Sequence, residues 1–503
     1  MMSMLNALSL LFAGVIFVTP SPSPAPTPTA APPAAPAPGG KAWTPAQIAH
    51  LRSSLVRIFK DPALRGAQVG LIAIDTVRGT QIFSQNADEE FMPASNFKLL
   101  VGSASLNRLG PNFAFTTSVG ADAAPAGGTI RGNVYLHGGG DAHLTAQDLS
   151  DAAAALASQG VKRIEGDVVT DASHYDSQRY GYGWSWDDLP YYYAPVVTAL
   201  ELEEGTVHMT FAPGPAVGSP AVLRVWPESS AYTIDDQLIT GAPNSKDNSD
   251  ISRVWDAPRT IRIQNNYPLG AKESGEVNPS VPDPESYAGD VFERALSAHG
   301  ITVTGTVHAG KMPQSASVLW RHESDKFPQL LAEFWYPSDN LMGELFLKEL
   351  GVVQAGEPGS DDKGRLLEQA FLRSIGIDPN TVTIADGSGL SQYDRITPRD
   401  LLTILQADWN SPYRQIVLNA LPVSGVRGTL ENSYLHTPAE YQVFAKTGSI
   451  SHVRTISGFV KTKTHGPVTF SFLINQWMGE DQPGGAAALA KVRAAVFSEF
   501  AQQ

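Results

Sequence analysis

Residues 93–108 read Pro93-Ala94-Ser95-Asn96-Phe97-Lys98-Leu99-Leu100-Val101-Gly102-Ser103-Ala104-Ser105-Leu106-Asn107-Arg108. Proline at the first turn and apolar residues on a helical period predict a helix, with Gly110 just beyond its end. A spacing of three places Ser95 and Lys98 on one face, one turn apart. A lysine buried there holds its proton less tightly and can accept one from the serine hydroxyl. The positive end of the helix dipole lies near the anion that would develop. S-x-x-K is weak alone. A second copy, Ser360-Asp361-Asp362-Lys363, sits in a polar Gly/Pro/Asp segment, where a solvated lysine is expected.

Two later motifs supply companions. S-x-N occurs at Ser84, Ser105 and Ser338. Ser105 shares the helix of Ser95, and Ser84 lies in a predicted strand. Ser338-Asp339-Asn340 follows Tyr336-Pro337 and precedes a helix, so it falls on a turn that can face a cleft. The plainer reading is a helix cap by Ser338 or Asp339. Lys446-Thr447-Gly448 occurs once, at the end of an apolar strand. Its lysine and hydroxyl suit a carboxylate, and its glycine admits a close backbone. The plainer reading there is a strand end with a snorkelling lysine.

Outward from these motifs, residues 44–60 have helical periodicity, and 68–75 with 81–84 read as a hairpin around Arg78-Gly79. From about 113 to 308 short strands dominate: 130–136, 166–170, 206–211, 221–226, 260–264 and 301–308. Helical stretches at 146–159 and 287–299 interrupt them. Val303-Thr304-Gly305-Thr306-Val307 and Ile130-Arg131-Gly132-Asn133-Val134 are similar, without a repeat period. Helices return at 329–334, 340–350 and 364–374. Strands at 442–446, 454–461 and 468–475 and a helix at 485–500 close the chain. Strands from both ends would share one antiparallel sheet flanked by helices, an α+β fold interrupted by a large, mainly β insertion.

The N-terminus begins with an apolar run at residues 5–18, of signal-peptide length, with no Lys or Arg before it. A Pro/Ala/Ser/Thr tract follows to about residue 40, an extended spacer. Export is expected, with the run either cleaved or kept as an anchor. Net charge is −14 with no basic tract, which argues against nucleic acid as a partner. There are no cysteines, which excludes disulfides, thiol catalysis and a lipoprotein anchor. No cofactor motif is present. His137 and His143 flank Gly138-Gly139-Gly140 without metal-ligand company in the sequence, so no metal is expected. Tyr191-Tyr192-Tyr193 reads as packing.

The order S-x-x-K, S-x-N, K-T-G is the signature of penicillin-recognising serine enzymes. Ser338 follows Ser95 by 243 positions. With that long gap, the chain resembles the low-molecular-weight penicillin-binding proteins of the type-4 D-Ala-D-Ala carboxypeptidase/endopeptidase family. Gly138-Gly139-Gly140-Asp141, Gly183-Trp184-Ser185-Trp186-Asp187-Asp188, Asp386-Gly387-Ser388-Gly389-Leu390-Ser391 and Leu421-Pro422-Val423-Ser424-Gly425-Val426 agree with it. The resemblance runs from about residue 44 to the C-terminus and is thin between 202 and 286.

The resemblance implies a penicillin-binding/β-lactamase-like transpeptidase domain over 43–111 and 326–503. It also implies an inserted domain over 112–201 and 272–325, and a nested one over 202–271. Residues 1–19 and 20–42 would be signal or anchor and linker. Ser95 would be the nucleophile and Lys98 its base. Ser338, held between Lys98 and Lys446, would relay a proton to the leaving group. Asn340 would bind the substrate amide, and Lys446 and Thr447 the terminal carboxylate. Gly448 would let the substrate backbone lie close. The N–H groups of Ser95 and Ser449 would form the oxyanion hole. Asp188 either reaches the cleft or stabilises its loop. The substrates would be peptidoglycan stem peptides in the periplasm or cell envelope, with β-lactams as covalent inhibitors. The rival readings are a β-lactamase or esterase of the same fold and a non-catalytic peptidoglycan-binding scaffold.

Overall fold

The computed structural model describes residues 34–272 and 274–503. The apolar run, and the spacer up to residue 33, lie outside them. Residues 35–503 form one compact unit. Its central sheet is antiparallel, in the order Val443–Ile450, Val453–Val460, Val468–Asn475, Gln68–Asp75, Gln81–Gln85. Strands from both ends of the sequence therefore share it. Val468–Asn475 is buried throughout, as a central strand covered on both faces must be. Alternate side chains serve opposite cores. Phe470, Phe472 and Ile474 pack against helices Pro45–Ile58 and Gly485–Ala501. Leu473, Phe459 and Phe444 join a core built on Lys98–Leu109, Phe327–Trp335, Asn340–Ala355 and Pro398–Asn410.

The insertion leaves and re-enters on neighbouring strands, Thr116–Ala121 and Ser317–Glu323, which pair antiparallel. Its long path therefore does not pull the two halves of the central sheet apart. Those strands extend a five-stranded sheet through Val134–His137, Val168–Asp171 and Val307–Ala309. Helices Ala146–Ser158 and Pro284–Ala298 cover it. A smaller core of Phe211, Ala221, Leu238, Ile251, Ile263 and Tyr267 holds the strands between residues 208 and 268.

Two stretches read as single strands are each two. Residues 130–136 divide into Thr129–Arg131 and Val134–His137, and residues 301–308 into Thr302–Val303 and Val307–Ala309. In each case the first part belongs to a three-stranded sheet and the second to the larger one. The segment between them in both sheets does the same: Arg163–Glu165, then Val168–Asp171. Ile130, Ile164 and Val303 stand in register, as do Val134, Val168 and Val307. All three segments bend at a glycine: Gly132, Gly166 and Gly305. The backbones are stacked so closely that a Cβ on Gly166 would lie 2.2 Å from Gly132 O, and one on Gly305 2.5 Å from Gly166 O. The likeness of the two quoted pentapeptides thus has a structural cause, and Ile164-Glu165-Gly166-Asp167-Val168 is its third example.

Three expectations near the motifs shift. The K-T-G run lies inside its strand rather than at its end, because pairing with Val453–Val460 continues through Ile450. Ser360 caps helix Asp361–Ser374, and Lys363 Nζ donates to Gly356 O and Pro358 O instead of being free in solvent. The helix after residue 397, Pro398–Asn410, was not foreseen; Thr397 caps it with a capping box.

Gly166→Ala is expected to destabilise the protein by about 1–3 kcal/mol, since the added methyl meets backbone that cannot yield. Urea denaturation checks this; an unchanged midpoint would contradict the stacked-glycine packing.

Candidate active site

Ser95 stands on a 3-10 turn, Ala94–Phe97, that precedes helix Lys98–Leu109, rather than in the first α-turn. Ala94 enters it at φ +48°, a sparsely populated region for a residue with a Cβ. The turn is pinned from the sheet. Thr455 Oγ1 donates to Pro93 O at 2.6 Å. The Asn96 amide, oriented to satisfy all its neighbours, donates to Lys446 O at 2.6 Å and accepts from Ser457 Oγ at 2.9 Å. Gly448 backs directly onto the turn: a Cβ there would lie 2.8 Å from Ser95 N. Ser95 and the K-T-G strand are thereby fixed against each other.

Lys98 is fully buried. Its ammonium donates to Ser95 Oγ (3.0 Å), Asn340 Oδ1 (2.5 Å) and Ser388 O (2.6 Å). Those acceptors use all three of its donors. Burial lowers its pKa to about 8, although the carboxylates of Asp386, Asp339, Glu344 and Asp394 pull the other way. Lys446 is equally buried and donates to Ser338 Oγ at 2.8 Å and Thr447 O at 2.9 Å. Burial, with Lys98 nearby, holds its pKa well below the usual lysine range. Ser338 has φ +70°, and Asp339 caps helix Asn340–Ala355 through Met342 N. The S-x-N turn is therefore both a cap and a cleft element. The bond from Ser338 to Lys98 is not among the hydrogen bonds of the described residues; Ser338 pairs with Lys446 alone.

A cleft of about 620 Å³ collects Ser95, Ser338, Asn340, Thr447, Gly448, Ser449 and Asp188 on its walls. Lys98 and Lys446 lie behind it. All nine residues singled out in the sequence thus converge. Asp188 faces the cleft while accepting from Tyr193 OH at 2.9 Å, and burial raises its pKa. Among the described residues, the outer edge of the K-T-G strand is paired backbone to backbone only at its start, where Ala445 N donates to Pro422 O and Ser424 N to Val443 O. From Lys446 to Ile450 that edge opens on the cleft.

Sequence reading gave no role to several residues that build the site. Asn340 Nδ2 donates to Tyr193 O at 2.7 Å, so the tyrosine run frames the cleft as well as packing. Thr447 Oγ1 bonds Thr429 Oγ1 at 2.7 Å. Asp386 accepts from the N–H groups of Ser388, Gly389 and Ser391, from Ser388 Oγ and from Trp184 Nε1 at 2.8 Å. It shapes the loop that offers Ser388 O to Lys98 and anchors the tryptophan-rich loop. Aspartate followed by small residues and glycine in Asp386-Gly387-Ser388-Gly389 is a turn signal that could have pointed to it.

The sequence profile of the family described as D-Ala-D-Ala carboxypeptidase 3 (S13) matches residues 51–496. The chain belongs to that family. Among S13 relatives, a D-alanyl-D-alanine carboxypeptidase of Actinomadura sp. (strain R39) is 33% identical over 448 residues, covering 86% of this chain and 82% of that one. The D-alanyl-D-alanine carboxypeptidase DacB of Haemophilus influenzae is 26% identical over 423 residues, covering 83% and 87%. The crystal structure of penicillin binding protein 4 from H. influenzae superposes with a TM-score of 0.81 at 24% identity, covering 89% of this chain and 99% of that one. The same protein has been solved with a β-lactam, and that structure superposes at 0.74. The resemblance read from the sequence, to the type-4 D-Ala-D-Ala carboxypeptidase/endopeptidase penicillin-binding proteins, and the α+β transpeptidase-like fold hold.

Asp386→Asn removes a negative charge that holds the Lys98 pKa up while keeping the size of the side chain and one acceptor oxygen. The Lys98 midpoint is expected to fall below about 8. NMR titration of the labelled Nζ measures it; a midpoint at or above that of the parent would contradict this reading.

Proposed function

We propose that this S13 protein is a serine D-alanyl-D-alanine carboxypeptidase/endopeptidase that cleaves peptidoglycan stem peptides through an acyl-enzyme. The observation that carries the reading is a serine hydroxyl 3.0 Å from a fully buried lysine with its pKa lowered to about 8. Such a pair is a nucleophile with a matched base.

Neutral Lys98 takes the Ser95 proton as Oγ attacks the carbonyl of the penultimate D-alanine. The oxyanion is held by the N–H groups of Ser95 and Ser449. Collapse breaks the C–N bond. Ser338 gives its proton to the leaving D-alanine nitrogen and regains one from Lys446, its partner at 2.8 Å. Lys98 passes the proton it took back to Lys446 by way of solvent and, neutral again, takes one from the water that attacks the ester; that proton goes to Ser95 Oγ as the acyl–oxygen bond breaks, releasing Ser95 and a free acid. The substrate backbone lies along the open edge at residues 446–450, adding as an antiparallel strand. Thr447 and the cation of Lys446 attract the terminal carboxylate, Asn340 the substrate amide. Asp188 offers negative charge to a cationic side chain on the acyl side.

We assign residues 43–111 with 326–503 to the catalytic domain, 112–201 with 272–325 to the inserted domain and 202–271 to the nested one. The catalytic part has a sheet of its own, which supports that division, whereas Gly275–Val277 pairs with His208–Ala212, so the nested domain's sheet extends past residue 271. Residues 1–19 would direct export to the periplasm or cell envelope, ahead of the linker at 20–42. Among the described residues no helix is long and apolar enough to cross a membrane. β-Lactams mimic the substrate and would acylate Ser95 irreversibly on the time of growth. A β-lactamase would instead turn penicillin over.

A fluorescent penicillin is expected to label the chain lacking residues 1–40 covalently and to leave Ser95→Ala unlabelled. Steady penicillin hydrolysis would favour a β-lactamase, and no adduct on folded protein a non-catalytic binder. The acylation rate is expected to rise as pH rises through about 8, because the base is the neutral lysine and the protonated form dominates below that pH. Stopped-flow labelling between pH 6 and pH 10 reads this limb; a pH-independent rate would exclude Lys98 as the base.

A further inference from the structure

The sequence leaves His143 without ligand company, and the fold supplies it from across the seam between insertion and catalytic core. His143 and Glu204 come from the insertion. Their segments are held together by Glu203 N donating to Leu144 O and Glu204 N to Ala142 O. Asp339 and Glu333 come from the paired helices that carry the S-x-N turn. His143 Nδ1 lies 3.1 Å from Glu333 Oε2, and Nε2 lies 3.7 Å from Glu204 Oε1. One ligand atom each from His143, Glu204 and Asp339 falls within 4.8 Å of the others.

Two features separate this group from a chance acidic patch. Glu333 holds Nδ1, so that Nε2 is turned towards the two other carboxylates; metal-bound histidines are oriented by such a carboxylate. Three carboxylates also converge with no lysine or arginine among the described residues in ion-pair range of any of them, so the one group there that can carry positive charge is His143, whose proton a metal ion would displace. We propose that His143, Glu204 and Asp339 form a divalent-cation site, with Glu333 as the orienting partner of His143. One imidazole nitrogen and two carboxylates suit zinc or a similar borderline ion, completed by water. Glu204, whose side chain is 55% exposed, has room to close onto it. The ion would clip the insertion to the turn that bears Ser338 and Asn340. This inference does not rest on the acyl-enzyme reading.

The test uses the full folded chain, stripped with EDTA and titrated with Zn²⁺ by calorimetry, with thermal melts in parallel. One equivalent of Zn²⁺ per chain and a raised melting temperature are expected, since a ligand of the native state stabilises it. His143→Ala and Glu204→Gln should abolish both effects, and Glu333→Gln should weaken binding about tenfold. Glu204→Gln alters a half-exposed side chain, and its melting temperature without metal verifies that it folds. No saturable uptake by the parent overturns the site. So does uptake unchanged in both ligand variants. A stability loss in His143→Ala without any uptake by the parent would show an imidazolium held among carboxylates, and equally overturns it.

Discussion

The burial of the Lys98 ammonium is the constraint around which the molecule is arranged. An unpaired cation in a protein interior costs several kcal/mol, so it persists only where acceptors surround it. Here they come from the serine one turn back, from Asn340 and from the Ser388 carbonyl, partners 242 and 290 residues away in sequence. Behind them stands the carboxylate of Asp386, which tempers the burial. Glu344 and Asp394 are themselves pushed well above the usual carboxylate range by burial. The result is a lysine whose affinity for its proton is set by opposing forces rather than by one neighbour. Placing those acceptors also places the S-x-N turn and the Asp386 loop, because each is attached to the same ammonium.

The insertion is no appendage in this arrangement. Trp184 reaches Asp386, and the Tyr193 carbonyl takes the Asn340 amide. One loop of the insertion therefore touches both residues that steady the Lys98 surroundings, and it carries Asp188 to the cleft between those two anchors. The position of the loop in the cleft and the surroundings of Lys98 are linked through the same few bonds. A change in how the loop sits would be felt at the base without any contact between substrate and lysine.

The motifs were legible because S-x-x-K, S-x-N and K-T-G each occupy a short run with its own local geometry. Ser95, Lys98, Ser338 and Lys446 could be chosen from their contexts alone, as could the joining of the first and last strands into one sheet. What escaped was set by tertiary approach. Asn96 looks like any polar residue until Lys446 O is brought to it. The 3-10 form of the Ser95 turn follows from its anchoring by Thr455, far along the chain. The breaks at Gly132, Gly166 and Gly305 belong to three stacked segments, and periodicity in one segment cannot reveal the other two. His143 has its carboxylate neighbours on segments about 60 and 190 residues further on.

The half-covered K-T-G strand has a consequence for the life of the protein outside its reaction. An unpaired strand edge is a template for any other strand, including one from a second copy of the chain. In this molecule Pro422 and Ser424 close the edge up to Ala445, and the exposed remainder spans only residues 446–450. That remainder lines the cleft together with Tyr192 and Asp188. At five residues it is a short template, and the early covering of the strand is what keeps it from offering its full length to another sheet.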